Sequence, residues 1–169
     1  FYTVYSNEDY LIQLLTEGGH LTSEHVAGIR GKLGDDGLVQ HFLDHGDITE
    51  TSIAEVSASN VGTHVIDLSS GFIDPAFKDF IPLADCRRFN AVPFRDENGY
   101  LDVALADVLD FEAQDAIPHI VNRECQFYAA PPKAIRAAWE QIFGDEVGQA
   151  DANELQVMGD IGSDDSDAP

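Results

Sequence analysis

The chain has 169 residues, and its 31 Asp and Glu against 9 Lys and Arg give a formal net charge of −22. A field of this sign repels phosphate, which excludes a nucleic-acid binder that depends on phosphate contacts and disfavours an anionic membrane surface. Hydrophobic residues make up 44% of the chain, which is ordinary for a globular protein, so the charge does not indicate wholesale disorder.

The first third of the chain contains an internal repeat. Residues 14–29 and 42–56 match at six positions with a constant offset of 27 residues. Each unit has the pattern of a short helix, a glycine stop, an N-cap and a second helix. Each unit is also too small to bury its own apolar face, so the two are expected to pack together. Residues 1–70 are therefore predicted to form a helical subdomain.

The helix boundaries in the repeat are predicted from residue types at matching positions. Gly19 and Gly46 suit the left-handed position that follows a helix. Thr22 and Thr49 suit N-caps, where a hydroxyl accepts a hydrogen bond from a free backbone N–H of the next helix.

Residues 71–143 follow a different pattern, which mixes helices and strands. The predicted elements, in chain order, are a helix after Asp74-Pro75, a helix over 83–88, a strand over 90–94, an Asn98-Gly99 turn, a half-buried strand over 100–105, a helix from Asp110 to Val121, a strand over 125–129 and a helix over 133–143. This order predicts an α+β fold, in which the N-terminal helical subdomain is followed by a small α/β sandwich with a roughly three-stranded sheet. Residues 144–169 hold eight acids and no base, which predicts a flexible acidic tail or linker.

No catalytic motif is visible in the chain. There is no phosphate-binding GxxxxGK[ST] loop, no GxGxxG after a strand, no HExxH and no GxSxG, so we predict no enzyme in this chain and no cofactor. His41 and His45 lie four residues apart on a predicted helix. They are either a metal-binding pair or polar residues on either side of a buried Phe42, and we predict no metal site. Asp107 and Asp110 are either a carboxylate dyad or a loop with a helix N-cap, and the N-cap is favoured.

Arg87 and Arg88 form the one adjacent basic pair in this acidic chain. They are candidates for binding an anion or a carboxylate of a partner protein. The alternative is a surface pair that offsets the charge of Asp85.

The second half of the chain reads VIDLSSGFIDPAFKDFIPLADCRRFNAVPF, then GYLDVALAD, then CQFYAAPPKAIRAAW. The order of these short motifs resembles the N-terminal domain of type II secretion and type IV pilus assembly ATPases, including the MshEN-type variant. The matching positions are Asp67-Leu68, Ile73-Asp74-Pro75, Ile81-Pro82, Arg87-Arg88, Val92-Pro93, Leu101, Val103-Ala104, Ala106-Asp107, Ile135 and Ala138. The helical repeats upstream resemble repeated units of the same family.

The resemblance implies a non-catalytic docking or regulatory module that precedes a P-loop ATPase domain. Its implied partner is the cytoplasmic domain of an inner-membrane platform protein. The implied location is the cytoplasm, peripheral to the inner membrane through that partner. Oligomers are implied through a downstream ATPase domain.

In MshEN-type members, two helical motifs bind cyclic di-GMP. If that branch applies, the implied ligand-binding residues are Leu11, Leu15, Gly19, Leu38, Phe42 and Gly46. The two arginine positions of the family's motifs fall on Tyr10 and Gly37, so both arginines are absent, and the surrounding charge is negative. These departures favour protein docking, with cyclic di-GMP sensing and a stand-alone protein-interaction module as the alternatives.

Overall fold

The N-terminal part of the chain is a cluster of four helices. The structure, a computed structural model, describes residues 4–149 and Ala152. The four helices are α1 (Glu8–Glu17), α2 (Ser23–Leu33), α3 (Leu38–Asp44) and α4 (Glu50–Val61). Helix α1 packs against α3 and α4, and α2 packs against α3. The predicted helix–stop–cap–helix units are confirmed.

The predicted helix boundaries are confirmed in detail. Gly19 and Gly46 have φ angles of +80° and +75°. This left-handed backbone conformation is unfavourable for residues with a side chain, so glycine suits both positions. The Thr22 hydroxyl accepts a hydrogen bond from the His25 N–H. Thr49 forms a capping box with Ser52, in which each side chain accepts the backbone N–H of the other residue. Local sequence therefore sets where these helices begin and end.

The second part of the chain contains a sheet and its covering helices. Its elements are a 3-10 helix (Pro75–Asp79), α5 (Leu83–Phe89), β1 (Ala91–Glu97), β2 (Tyr100–Leu105), α6 (Phe111–Val121), β3 (Cys125–Ala129) and α7 (Pro132–Phe143). The sheet has the order β1-β2-β3, with β1 and β2 antiparallel and β2 and β3 parallel. This arrangement confirms the predicted α+β fold with a three-stranded sheet.

Strand β2 is more deeply buried than its sequence pattern predicts. The alternation in residues 100–105 predicts a half-buried strand, but all residues from Leu101 to Leu105 are buried. Successive side chains of a strand point to opposite faces, so both faces of β2 are covered. The buried polar residue Asp102 is compensated by an ion pair with Arg95 on the neighbouring strand β1.

The helical part and the sheet part share packing across their boundary. Ala54 and Ala58 of α4 belong to the core of the sheet part, while Leu109 belongs to the core of the four helices. Residues 64–66 run beside β3, where the Ile66 N–H donates to the Ala129 carbonyl at 2.8 Å. The segment just before the predicted boundary at residue 70 therefore packs on the sheet.

The first residues of the predicted acidic tail are folded. Residues 145–149 are helical, and Val147 among them is 3% exposed, so the beginning of the predicted tail packs on the sheet part. Most of the remaining predicted tail, at 150–151 and 153–169, lies outside the described residues. No helix within the described residues is long and apolar enough to cross a membrane.

Candidate functional site

A groove of about 900 Å³ lies between the starts of α1 and α4, helix α3 and the first residue of α7. Its walls come from the segment before α1, from α3, from the start of α4 and from Pro132. The apolar lining includes Val39 and Ile48, which are buried, and Val4 and Leu43, which are half-buried. The groove therefore offers an apolar floor at the junction between the two parts of the fold.

Four carboxylates line this groove, and no Lys or Arg among the described residues does. They belong to Glu8, Asp36, Asp44 and Glu50. Among the described residues, none of the four is part of an ion pair. A concave surface with one sign of charge and low-dielectric walls concentrates the electrostatic field, so this groove attracts cations.

The start of α3 explains the position of Glu8. Gly37 precedes α3 with a φ of +76° and has no side chain that could cap the helix. The Glu8 Oε1 atom of α1 accepts the free Val39 N–H instead, at 2.7 Å. This tertiary cap holds α1 against α3 at one wall of the groove.

The N-terminal segment is fixed beside the groove by a buried carboxylate at the end of the sheet. The Asp107 Oδ2 atom accepts hydrogen bonds from the N–H and the hydroxyl of Ser6, each at 2.8 Å, and Oδ1 accepts the Leu109 N–H at 3.0 Å. The Asn7 side-chain amide donates to the Leu109 carbonyl at 3.1 Å. Asp107 is therefore a structural link between the N-terminal segment and the sheet part, and Asp110 is the N-cap of α6.

The pH dependence of folding tests the role of Asp107. Burial raises the pKa of this carboxyl above its ordinary value of 3.8, against the opposing effect of the Ser6 and Leu109 hydrogen bonds. The folded state then holds this proton more tightly than the unfolded chain, so ionising Asp107 between pH 3.8 and the raised pKa costs folded-state stability. We expect the free energy of unfolding of the wild type, minus that of Asp107→Asn, to fall over this range and to level off above it.

Urea unfolding between about pH 3 and about pH 7 measures this difference. Asp79→Asn, at an exposed position, is the control for the loss of one surface carboxylate. A wild type that gains stability relative to Asp107→Asn as the pH rises would show that the hydrogen bonds outweigh the burial.

The predicted ligand-binding residues divide into core and surface positions. Leu11, Leu15, Leu38 and Phe42 are at most 1% exposed and form the centre of the helical core. Their side chains are therefore not presented to solvent in this structure. Of the two predicted glycines, Gly46 lines the groove, while Gly19 lies on the exposed surface.

The two positions that hold arginines in the related motifs hold Tyr10 and Gly37 in this chain. Tyr10 donates its hydroxyl to the Asn60 side-chain carbonyl at 3.1 Å, which joins α1 to α4, and Gly37 lines the acidic groove. A second groove of about 620 Å³ between α1 and α2 contains Arg30, but this guanidinium lies between the carboxylates of Asp9 and Asp35. Neither groove therefore presents an unpaired guanidinium to an anionic ligand.

The predicted partner-binding arginines also differ from each other. Arg87 donates to the Val147 carbonyl at 3.3 Å and lies 6.0 Å from the centre of the Trp139 ring, so it contributes to internal packing. Arg88 is exposed, with its guanidinium 4.8 Å from the centre of the Phe89 ring. Their role in binding a partner stays a prediction, and Arg88 is the more exposed of the two.

The histidine pair on α3 forms a stacked contact. The rings of His41 and His45 lie 4.0 Å apart between centroids, and the Nδ1 atom of His45 lies 2.8 Å from the His41 carbonyl oxygen. No cluster of three or more metal-binding side chains occurs within the part of the chain that the structure describes.

Sequence reasoning did not identify the acidic groove. Its charged residues are spread between positions 8 and 50, and no short motif unites them. The available signal was the charge balance of residues 1–70, which contain 11 acids and two bases.

The fold is that of an α+β domain built from a helical cluster and a mixed sheet, and the chain belongs to the MshEN domain family. The family model matches residues 61–149, which cover the sheet part. The predicted resemblance is confirmed. The four-helix part that contains the groove lies almost entirely before the matched range.

Three known proteins are similar to this chain. The type IV pilus assembly ATPase PilB of Thermus thermophilus is 28% identical over 135 residues, which are 78% of this chain and 14% of PilB. The chain therefore spans about a seventh of that relative. A structure of MshE with cdg covers 78% of this chain and 97% of its own, with a TM-score of 0.63 and 24% identity. The N-terminal domain of XpsE covers 80% and 95%, with a TM-score of 0.64 and 23% identity. The two structures share the fold of this chain.

Proposed function

We propose that this chain is a non-catalytic docking domain of a type II secretion or type IV pilus assembly ATPase, and that it binds the cytoplasmic domain of an inner-membrane platform protein. Support comes from the family membership and from the PilB relative, of which the chain spans 14%. The observation that carries the docking role is the acidic groove with its apolar floor, because apolar area and charge complementarity together suit protein recognition.

Cyclic di-GMP sensing is the second candidate. It is favoured by the likeness in fold to MshE, whose structure is described with cdg. The local chemistry weighs against it, because a dianionic ligand needs cationic or N–H donors. Gly37 occupies one arginine position of the related motifs and lies in a groove lined by four carboxylates. Tyr10 occupies the other position and is hydrogen-bonded to Asn60.

Calorimetric titration separates the two candidates. The chain is titrated with cyclic di-GMP and, separately, with purified cytoplasmic domains of platform proteins from the same genome. We expect heat from one platform domain and none from micromolar cyclic di-GMP. Binding of cyclic di-GMP at micromolar concentration, with no platform domain bound, would replace docking by ligand sensing as the function.

An ATP hydrolysis assay on the same chain tests the non-catalytic part of the proposal. No turnover above the buffer rate is expected, because no phosphate-binding loop occurs in the sequence. Turnover that persists through repeated purification would overturn this part without affecting the docking result.

A further inference from the structure

We propose that the acidic groove binds a basic amphipathic helix of the partner protein, with the apolar side chains of that helix on the groove floor and its Lys or Arg side chains facing the four carboxylates. This inference rests on the proposed docking function and names the chemistry of the partner at that site.

The charge of the groove is not compensated within the described part of the chain. Glu8 caps α3, and the Asp44 carboxylate accepts only the Gln40 side-chain amide, at 2.8 Å. Asp44 also lies in the last turn of α3, where the helix dipole opposes a negative charge. A cationic partner would reduce the repulsion among Asp36, Asp44 and Glu50, so its positive charges would favour binding in the groove.

The groove also has a size and an apolar floor that suit side chains rather than a simple ion. Its volume of about 900 Å³ lies near the upper end of the range for sites that enclose whole ligands. Leu43 and Val4 are half-buried, with part of each side chain open to the groove. Covering these side chains would remove apolar surface from water, which favours an occupant that is itself apolar on one face.

The backbone around the groove favours a helical occupant over an extended one. Three N–H groups at the groove are already used: Val39 donates to Glu8 at 2.7 Å, Gly46 to the Leu43 carbonyl at 3.2 Å, and Thr49 to the Ser52 hydroxyl at 2.9 Å. An extended peptide binds mainly by adding main-chain hydrogen bonds to an open strand edge, and helices and caps form these walls. A helix satisfies its own backbone and binds through side chains alone.

A synthetic peptide provides the probe. It has about 18 residues, or five helical turns, consists of Leu and Lys with Leu at helical spacing, and carries a fluorescein label. A second peptide has the same composition with Leu at every other position, and a third has Glu in place of Lys. Fluorescence anisotropy with the full chain should show saturable binding of the first peptide alone. Equal binding of the first two would mean that net charge alone drives association and would overturn the proposal.

Two matched sets of substitutions place the binding in the groove. The groove variant carries Asp36→Asn, Asp44→Asn and Glu50→Gln. The control variant carries Asp79→Asn, Glu112→Gln and Glu124→Gln, at exposed positions outside the groove. Both variants raise the net charge by three, so a non-specific attraction to the acidic chain weakens equally in both.

We expect the groove variant to weaken binding about tenfold and the control variant by less than about threefold. Equal weakening in the two variants would overturn the proposal. Neither set changes the size of a side chain appreciably, and circular dichroism confirms that both variants are folded.

A single substitution at Leu43 distinguishes binding in the groove from attraction by net charge, because the two predict opposite changes in affinity. Leu43→Glu adds a negative charge while it removes the apolar side chain from the floor. If the peptide binds by net charge, Leu43→Glu strengthens binding, whereas the proposed helix-in-groove contact predicts weaker binding in the folded variant. Stronger binding would therefore contradict the proposal.

The same variants separate this inference from the proposed function. If a platform domain binds the wild type and the groove variant equally, the docking function stands and the groove is not its site. If the Leu–Lys peptide binds in the groove but no platform domain binds the chain, the site stands and the docking function fails.

Discussion

Phe42→Ala is expected to lower the free energy of unfolding by about 3–5 kcal/mol, because it removes a large side chain from a closely packed core. Phe42 is completely buried at the centre of the four-helix cluster. Its ring also contacts the rings of His25 and His41, at centroid distances of 5.4 and 5.6 Å. The surrounding helices are held by their caps and cannot close fully around the vacant volume.

Urea unfolding followed by circular dichroism measures this loss. Phe111→Ala provides the matched control, since Phe111 is 59% exposed on α6 and its replacement should change stability by less than about 0.5 kcal/mol. A loss below about 1 kcal/mol for Phe42→Ala would show that this side chain is not part of the folding core. The ring would then be free for the ligand-binding role that the family resemblance implies.

Trp139→Ala is expected to cost a similar amount, about 3–5 kcal/mol, in the sheet part. Trp139 lies on the buried face of α7 and is 5% exposed. Its Nε1–H donates to the Ala91 carbonyl at 2.8 Å, so the side chain both fills the core and joins α7 to the start of β1. Trp139→Phe keeps an aromatic ring but loses this buried hydrogen bond, which should cost about 1–3 kcal/mol.

The chain contains a single Trp, so unfolding of these variants is followed by circular dichroism rather than by tryptophan fluorescence. Glu140→Ala is the control on the same helix, at an exposed position, and should change stability by less than about 0.5 kcal/mol. If Trp139→Ala and Trp139→Phe lower the free energy of unfolding equally, the contribution of Trp139 comes from its hydrogen bond. If Trp139→Phe has a negligible effect, the contribution of Trp139 comes from packing alone.

The two cores contribute to folding stability, whereas the charged residues of the groove are expected to contribute to binding. Removing Phe42 or Trp139 affects folding, whereas neutralising Asp36, Asp44 and Glu50 removes repulsion between like charges and should not destabilise the domain. A set of residues that lowers binding without lowering stability would therefore separate the docking surface from the scaffold that presents it.

The structure agrees with the family resemblance on the sheet part, and the helical part keeps the predicted helices without the arginines of the related motifs. In residues 61–149 the family model matches and the predicted elements form. In the helical part, the glycine stops and threonine caps are present, but Tyr10 and Gly37 stand at the arginine positions of the related motifs. The architecture is therefore retained while the chemistry of the groove is acidic.

Most helix and strand positions followed from local sequence. Thr22 and Thr49 cap helices through backbone N–H groups three residues away, and Asn98-Gly99 takes the left-handed conformation that a tight hairpin needs. These preferences act over a few residues, so they are readable without knowledge of the fold. The buried residues of α7 likewise recur at the spacing of a single helical face.

Long-range features required the folded structure, because they depend on residues brought together from distant positions. Ser6 and Asp107 are 101 residues apart in the chain, and neither position indicates the other. Burial of every residue from Leu101 to Leu105 depends on the two flanking strands and on the helices that contact the sheet. The acidic groove combines residues between positions 4 and 50 with Pro132. The chain's composition determined that its surface would be negative, and tertiary packing placed four of those charges around one apolar groove, since only folding sets the distances between side chains.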